Sequence, residues 1–280
     1  MKIESAINEG FKELKNNKIK NSLLDSEILM SEAIDKDRKY IILNLHEEIS
    51  KDHYIVYRKL INERSKGKPI AYLIKKKSFW EDEFYIDEKV LIPRPDTEII
   101  IEQILKIFRN KNKLNILEIG VGSGCILLSI LKEKKNFLGT GIDISNESIK
   151  ISTKNAYKLG IKNRLKLFKS DIDKFNIGKY DLIISNPPYI KKLDLKYLDR
   201  DIIDFEPKLA LDGGLDGLSK IRKMIDKSSE LIKKQGKLIL EIGSDQKRDV
   251  EKLLVNKSFY INSVVKDFAK NDRCIISTKI

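Results

Sequence analysis

Cysteine and histidine are scarce in this sequence of 280 residues, with two of each: Cys125, Cys274, His46 and His53. Two distant thiols supply neither a disulfide framework nor a metal-ligand cluster. No run approaches the roughly 18 apolar residues that a membrane-spanning helix needs. The opening residues, MKIESAINEGFKELK, lack the apolar stretch of a secretory signal peptide. A reducing cytoplasm is therefore the expected location, with no membrane partner. Gly and Pro are few, at 14 and 6, and no short period repeats, which excludes collagen-like and low-complexity chains. Hydrophobic residues at 41% leave an ordinary globular class, with length for one large domain or two modest ones.

Charge is plentiful, at 35% of residues, and the net charge is +13. A basic balance invites a nucleic-acid partner. The surplus is spread along the chain, however, with +5 over residues 1–77 and +8 over 78–280, and only 10 of the 55 basic residues are Arg. The abundance of Ile, Lys and Asn reads as a codon-composition effect. The charge thus describes a generally basic surface suited to acidic or ribosome-associated partners, with no direct nucleic-acid contact required.

Residues 1–70 read as helices only. Ile3, Ile7, Phe11 and Leu14 follow one helix face, Leu23, Leu24, Ile28 and Leu29 form a second stripe, and Ile41, Ile42 and Leu45 a third. Ile55, Leu60 and Ile61 anchor a fourth helix over about 52–64, stopped by Gly67 and Pro69. Residues 78–92 change to short β-prone runs, as expected of a hairpin linker. Pro93 and Pro95 then stiffen the chain, and Asp96 or Thr97 is placed to cap a helix over 99–108. From residue 114, apolar strands and amphipathic helices alternate. That pattern predicts a parallel sheet covered on both faces. The expected division is 1–72 helical, 73–92 hairpin and 93–280 α/β. Ligands of such sheets lie at the carboxyl ends of the strands.

Three motifs fall at those strand ends. Glu118-Ile119-Gly120-Val121-Gly122-Ser123-Gly124 follows the first strand, where glycines let backbone turn sharply and approach a ligand. Asp143, 19 residues after Gly124, ends the second strand, where a carboxylate can accept both hydroxyls of a ribose. The pair resembles the nucleoside site of class I S-adenosylmethionine methyltransferases, a superfamily in which the residues at Ser170-Asp171-Ile172 would reach and flank the adenine. The third motif is Asn186-Pro187-Pro188-Tyr189, after an apolar run over 182–185. Consecutive prolines fix φ and remove two backbone donors. The Pro187 carbonyl and the Asn186 side-chain oxygen are then two acceptors on one stiff loop, suited to an –NH₂ group with two hydrogens to give. Tyr189 offers a flat ring to a planar amide or base.

The last motif is similar to the catalytic loop of methyltransferases acting on planar nitrogen, among them the adenine methylases of nucleic acids. Two further segments narrow the resemblance: Val90-Leu91-Ile92-Pro93-Arg94-Pro95-Asp96-Thr97-Glu98 before the glycine loop, and Phe205-Glu206-Pro207 after Tyr189. In this order and spacing they resemble the HemK family of protein-(glutamine-N(5)) methyltransferases, over about residues 69–280. The resemblance implies a Rossmann-like, mostly parallel seven-stranded sheet with a small N-terminal helical bundle that docks the partner. It implies S-adenosyl-L-methionine as methyl donor, released as S-adenosyl-L-homocysteine. The target is the glutamine in the Gly-Gly-Gln motif of class 1 peptide chain release factors; the alternative is a nucleic-acid exocyclic-amine methyltransferase. Cofactor binding falls to Gly120, Val121, Gly122, Ser123, Gly124, Asp143, Asp171, Ile172 and Asn186, substrate binding to Asn186, Pro187, Pro188 and Tyr189, and catalysis to Asn186 and Pro187. The chain departs from the family at Lys75 and Lys270, where Gly is usual, and at Glu118, where Asp is frequent.

Overall fold

The structure, a computed structural model, describes all 280 residues. It divides into two units, Met1–Lys76 with Asp199–Phe205, and Lys77–Leu198 with Glu206–Ile280.

The first unit is helical: α1 (Ile3–Asn16), α2 (Ser22–Ile34), α3 (Arg38–Leu43), α4 (Lys51–Ser65) and α5 (Ile70–Leu73). Its core gathers Ile3, Ile7, Leu14, Leu29, Met30, Ile41, Tyr57 and Ile61. The inner face of α4 is Tyr57 and Ile61, one turn apart, whereas the expected anchor Ile55 is exposed, as are Leu23 and Leu24 of α2. The reason is polar. The Tyr57 hydroxyl pairs with Ser26 Oγ at 2.6 Å, and Ser26 donates to the Ile7 carbonyl at 2.8 Å. A Cβ on Gly10 would strike that hydroxyl. The helices approach around a small buried polar node that apolar periodicity does not register.

The second unit begins with a hairpin, β1 (Lys76–Phe79) and β2 (Asp82–Tyr85). The segment read as a linker is packed into this unit. Phe79 and Phe84 meet edge-to-face at 6.2 Å and enter its main core. Buried Asn155 accepts from Tyr85 N–H at 2.8 Å and donates to the Tyr85 and Ser123 carbonyls, tying the hairpin to the glycine loop.

The sheet contains β3 (Asn115–Ile119), β4 (Leu138–Asp143), β5 (Leu165–Lys169), β6 (Tyr180–Ser185), β7 (Ile232–Glu241), β8 (Phe259–Lys266) and β9 (Asp272–Lys279), in the order β5-β4-β3-β6-β7-β9-β8. All neighbours are parallel except β9, which is antiparallel to both β7 and β8. The long helices are α6 (Glu98–Ile107), α7 (Cys125–Glu133), α8 (Asn146–Lys158), α10 (Ser219–Leu231) and α11 (Lys247–Asn256); a short α9 (Arg200–Phe205) belongs to the first unit. Successive strand residues point to opposite faces. Ile116, Leu182, Ile184, Ile239 and Ile276 therefore share one core with α6 and α7, and Leu117, Ile183, Leu238, Leu240 and Ile275 share the other with α10 and α11. Burial on both faces explains the near-continuous apolar runs of the central strands. The chain reverses its progress across the sheet between β3 and β6, and that switch point fixes where a ligand cleft forms.

Candidate active site

A cleft of about 280 Å³ opens at the carboxyl ends of β3, β4, β5 and β6. At one end stands the glycine loop. Gly120 and Gly122 have φ of +77° and +54°, the left-handed region that side chains disfavour, and a Cβ on either would meet nothing within 4 Å. Both line the cleft with Val121 and Ser123. Gly124, also expected there, stands off the wall as the N-cap of α7, where a Cβ would crowd Leu128. Its role in the loop is close packing.

Asp143 ends β4 on the same wall. Its Oδ2 accepts from Gly122 N–H at 3.0 Å and its Oδ1 from Ser145 N–H at 2.8 Å. Burial pushes its carboxyl up, and hydrogen bonds from the Ser145, Gly122 and Ile144 amides and the Ser148 hydroxyl pull it back. Asp171 caps a short turn through Oδ1, which accepts from Asp173 N–H at 3.1 Å, and Ile172 lines the cleft beside it. Glu118 also reaches this wall and is 1% exposed. Its Oε2 accepts from Leu127 N–H at 3.1 Å, and desolvation holds its carboxyl well above the usual range.

The adjacent strand β6 adds Asn186, Pro187 and Pro188 to the wall. The proline-locked carbonyl of Pro187 accepts no hydrogen bond from the protein. Asn186 Nδ2 donates to Thr97 Oγ1 at 3.1 Å, which leaves Oδ1 without a protein donor. Thr97 does not cap α6. It has helical dihedrals, and its hydroxyl donates to Glu241 Oε2 at 2.7 Å. Tyr189, expected against the substrate, lies off the wall. Its hydroxyl donates to Glu241 Oε1 at 3.3 Å, and burial with the nearby Glu241 pushes its phenol up to about 12. Arg273 in turn donates to the Tyr189 hydroxyl at 3.5 Å and pairs with Asp267 at 2.9 Å.

The two outlying motifs meet in one ion pair: Arg94 Nη2 donates to buried Glu206 Oε1 at 2.6 Å, with Arg94 and Pro207 both on the cleft wall. Sequence reasoning missed Thr97 as a hydrogen-bond bridge and Glu241 altogether. The available signal was a carboxylate at the end of an otherwise apolar central strand.

Residues 5–74 match the family described as the PrmC N-terminal domain, and residues 97–215 match the methyltransferase small domain. A methyltransferase from Pyrococcus furiosus superposes with a TM-score of 0.54 at 18% identity, covering 79% of this chain and 97% of that one. The ribosomal protein L11 methylase of Lactobacillus delbrueckii gives 0.52 at 18% identity, covering 73% and 90%. Fold and cleft together define a class I, S-adenosylmethionine-dependent methyltransferase. Among sequence relatives, the release factor glutamine methyltransferase of Clostridium acetobutylicum is 36% identical, spanning 100% of this chain and 99% of the relative. That of Caulobacter vibrioides is 32% identical over 95% and 92%. The chain belongs to the HemK family of release factor glutamine methyltransferases.

Proposed function

We propose that this protein methylates the side-chain amide nitrogen of the glutamine in the Gly-Gly-Gln motif of class 1 peptide chain release factors, in the cytoplasm. The observation that carries the reading is the pair of free acceptors at one end of the cleft, Asn186 Oδ1 and the Pro187 carbonyl, on a loop that two prolines stiffen. An amide nitrogen is a weak nucleophile because its lone pair is delocalised into the carbonyl. A primary amide has two N–H groups, one for each acceptor. Holding both hydrogens fixes the nitrogen, and any interaction that strengthens as positive charge develops there raises the rate itself.

The part of the cleft on β3, β4 and β5 suits S-adenosyl-L-methionine. Backbone at Gly120 and Gly122 is bare toward open space, Asp143 presents its carboxylate on the cleft wall for ribose hydroxyls, and the second oxygen of Asp171 has no hydrogen bond from the protein. Gly120, Val121, Gly122, Ser123, Asp143, Asp171 and Ile172 would hold this cofactor, with Gly124 keeping the loop in shape. When bound, that group would supply a methyl on a sulfonium, which needs no activation, and would leave as S-adenosyl-L-homocysteine, with the surplus proton of the methylated nitrogen lost to water. The helical unit is assigned to docking the release factor. It carries the exposed apolar residues Leu23, Leu24, Ile42, Leu43, Ile55 and Val56.

Donor carrying a radiolabelled methyl group, offered separately with a folded class 1 release factor, the same factor with its Gly-Gly-Gln glutamine replaced by Ala, RNA and DNA, tests the reading. Label on the intact factor alone is the expected result. Label on nucleic acid, or equal label on the substituted factor, overturns it.

A further inference from the structure

The acceptor end of the cleft is held by side chains from three distant parts of the sequence. Asn186, Thr97 and Glu241 form a chain of hydrogen bonds at 3.1 and 2.7 Å. Thr97 is 2% exposed and Glu241 1%, so bulk water does not compete for these groups. A threonine hydroxyl has one proton to give. With that proton on Glu241, Thr97 can only accept from Asn186. The amino end of the Asn186 side chain must then face Thr97, and the oxygen is the end left over. The two ends of an amide have nearly the same shape, so packing alone would not choose between them. The opposite choice would set Asn186 N–H groups against the N–H groups of a target amide.

The geometry points to Thr97 and Glu241 as positioning residues: an ionised Glu241 orders the direction of the hydrogen bonds and so selects which end of the Asn186 amide meets the target. This rests on the reading that Asn186 accepts a hydrogen from the target amide. A proton on Glu241 reverses the order. The carboxyl then becomes a donor to Thr97, Thr97 is released to donate to the Asn186 oxygen, and the amide turns its NH₂ to the cleft.

The groups that face Glu241 are Asp96 and Thr97 at the start of α6, Cys125 of α7, Tyr189 after β6, and Arg273 and Cys274 of β9. Burial pushes the Glu241 carboxyl up to about 7, against the pull of Thr97, Arg273 and Tyr189. The Tyr189 phenol and the two thiols are raised, so they stay neutral there, while Arg273 stays charged. Glu241 is the member of the group that changes charge near neutral pH.

Two measurements on the full chain decide this. Steady-state kinetics on the release factor should show Thr97→Val lowering kcat by about ten- to a hundredfold, with KM and donor affinity changed less than about threefold, and Thr97→Ser restoring most of kcat. The kcat of the unaltered enzyme should fall on the acid side of about pH 7, and Glu241→Gln should lack that limb. Nitrogen-15 NMR of the ligand-free protein should show the Asn186 side-chain NH₂ resonances moving through the same midpoint, and fixed in Glu241→Gln. The NMR titration needs no substrate. Its presence in an enzyme that leaves the release factor unmethylated would remove the proposed function and keep the relay. Wild-type kcat in Thr97→Val, or Asn186 resonances indifferent to pH, would remove the relay and keep the function.

Discussion

The two parts of the candidate site, one on β3 to β5 and one on β6, are built by opposite means. At the glycine-loop part, Asp143 accepts from the backbone amides of Ser145 and Gly122, 2 and 21 residues away. At the Asn186 end, the hydrogen-bond partners Thr97 and Glu241 lie 89 and 144 residues apart along the chain from the groups they hold, and the ordering is done by side chains. Under the proposed function, the difference matches what each part must achieve. A cofactor with many polar groups can be gripped by amides that the fold provides. A reacting amide must be met by acceptors only, and backbone cannot enforce that choice on a side chain with two nearly identical ends.

The sharpest test of this contrast is Asn186→Ala. Losing an oriented partner of a reacting group costs on the order of 2.7–4 kcal/mol, a roughly hundred- to thousandfold fall in kcat. Donor affinity, measured by calorimetry, should stay within a few-fold, because most of the groups that would grip the donor are carried by β3, β4 and β5. A large loss of donor affinity with normal turnover would erase the distinction between the ends.

Glu241 shows what the side-chain solution costs. Its folded carboxyl titrates near 7 against an ordinary value of 4.5. Between those values the folded state holds more protons than the unfolded one, so stability falls as pH rises across that window. The loss is complete above about pH 7 and amounts to about 3 kcal/mol. Glu241→Gln removes the titration. Relative to the unaltered protein, the variant should therefore gain up to about 3 kcal/mol between pH 4.5 and pH 8 in urea unfolding, while the relay is broken. A stability difference that does not change with pH would place the cost elsewhere.

Asp143→Ala tests the other end. A hydrogen bond to a charged group contributes roughly 1.5–3 kcal/mol, so donor dissociation should weaken about ten- to a hundredfold, with kcat at saturating donor little changed. The same variant frees the Gly122 and Ser145 amides, so a modest loss of thermal stability accompanies it. Equal damage to kcat would mean that the glycine-loop end also orders the reacting groups.

What the sequence made legible follows the same division. The α/β alternation, the glycine turn after β3, the carboxylate ending β4 and the Asn-Pro-Pro loop after β6 are each local, and their residue types carry their conformational reasons with them. The mostly parallel seven-stranded sheet also follows from the family resemblance, but the order of its strands does not appear in that reading. Thr97 read as a cap because Thr before an apolar helix usually is one, yet its hydroxyl turned to a carboxylate on a strand far along the chain. Tyr189 read as a substrate platform because a ring beside two prolines is well placed for one, and its hydroxyl also bonds Glu241 and Arg273, contacts that the reading did not include. In the helical unit, the Tyr57–Ser26 pair displaced Ile55 from the core in the same way. Each miss is a long-range polar contact, which hydrophobic period and local propensity do not encode.

The smallest effect is expected at the outermost strut of the Asn186 end. Arg273, which faces Tyr189, is braced by Asp267, and Asp267 belongs to the turn between β8 and β9. That turn closes through Asp267 N–H to the Asn271 carbonyl at 2.9 Å and Asn271 N–H to Asp267 Oδ1 at 2.8 Å. Within it Lys270 has φ of +66°, and Lys75, the other position where the family favours Gly, has +54°. Both departures thus place a side chain where the backbone is left-handed. Such a conformation costs a residue with a Cβ roughly 1–2 kcal/mol, and glycine's larger unfolded-state entropy returns about half of that when it is substituted. Lys270→Gly should then raise stability by about 0.5–1 kcal/mol, read as a higher urea midpoint at constant slope. The side chain of Lys270 is exposed and the hydrogen bonds of the turn are backbone and Asp267, so kcat should not change. A gain in stability with unaltered turnover would show that the turn need only hold Asp267 in place. A shift in kcat would mean that the geometry of the Asn186 end reaches as far as the β8–β9 turn.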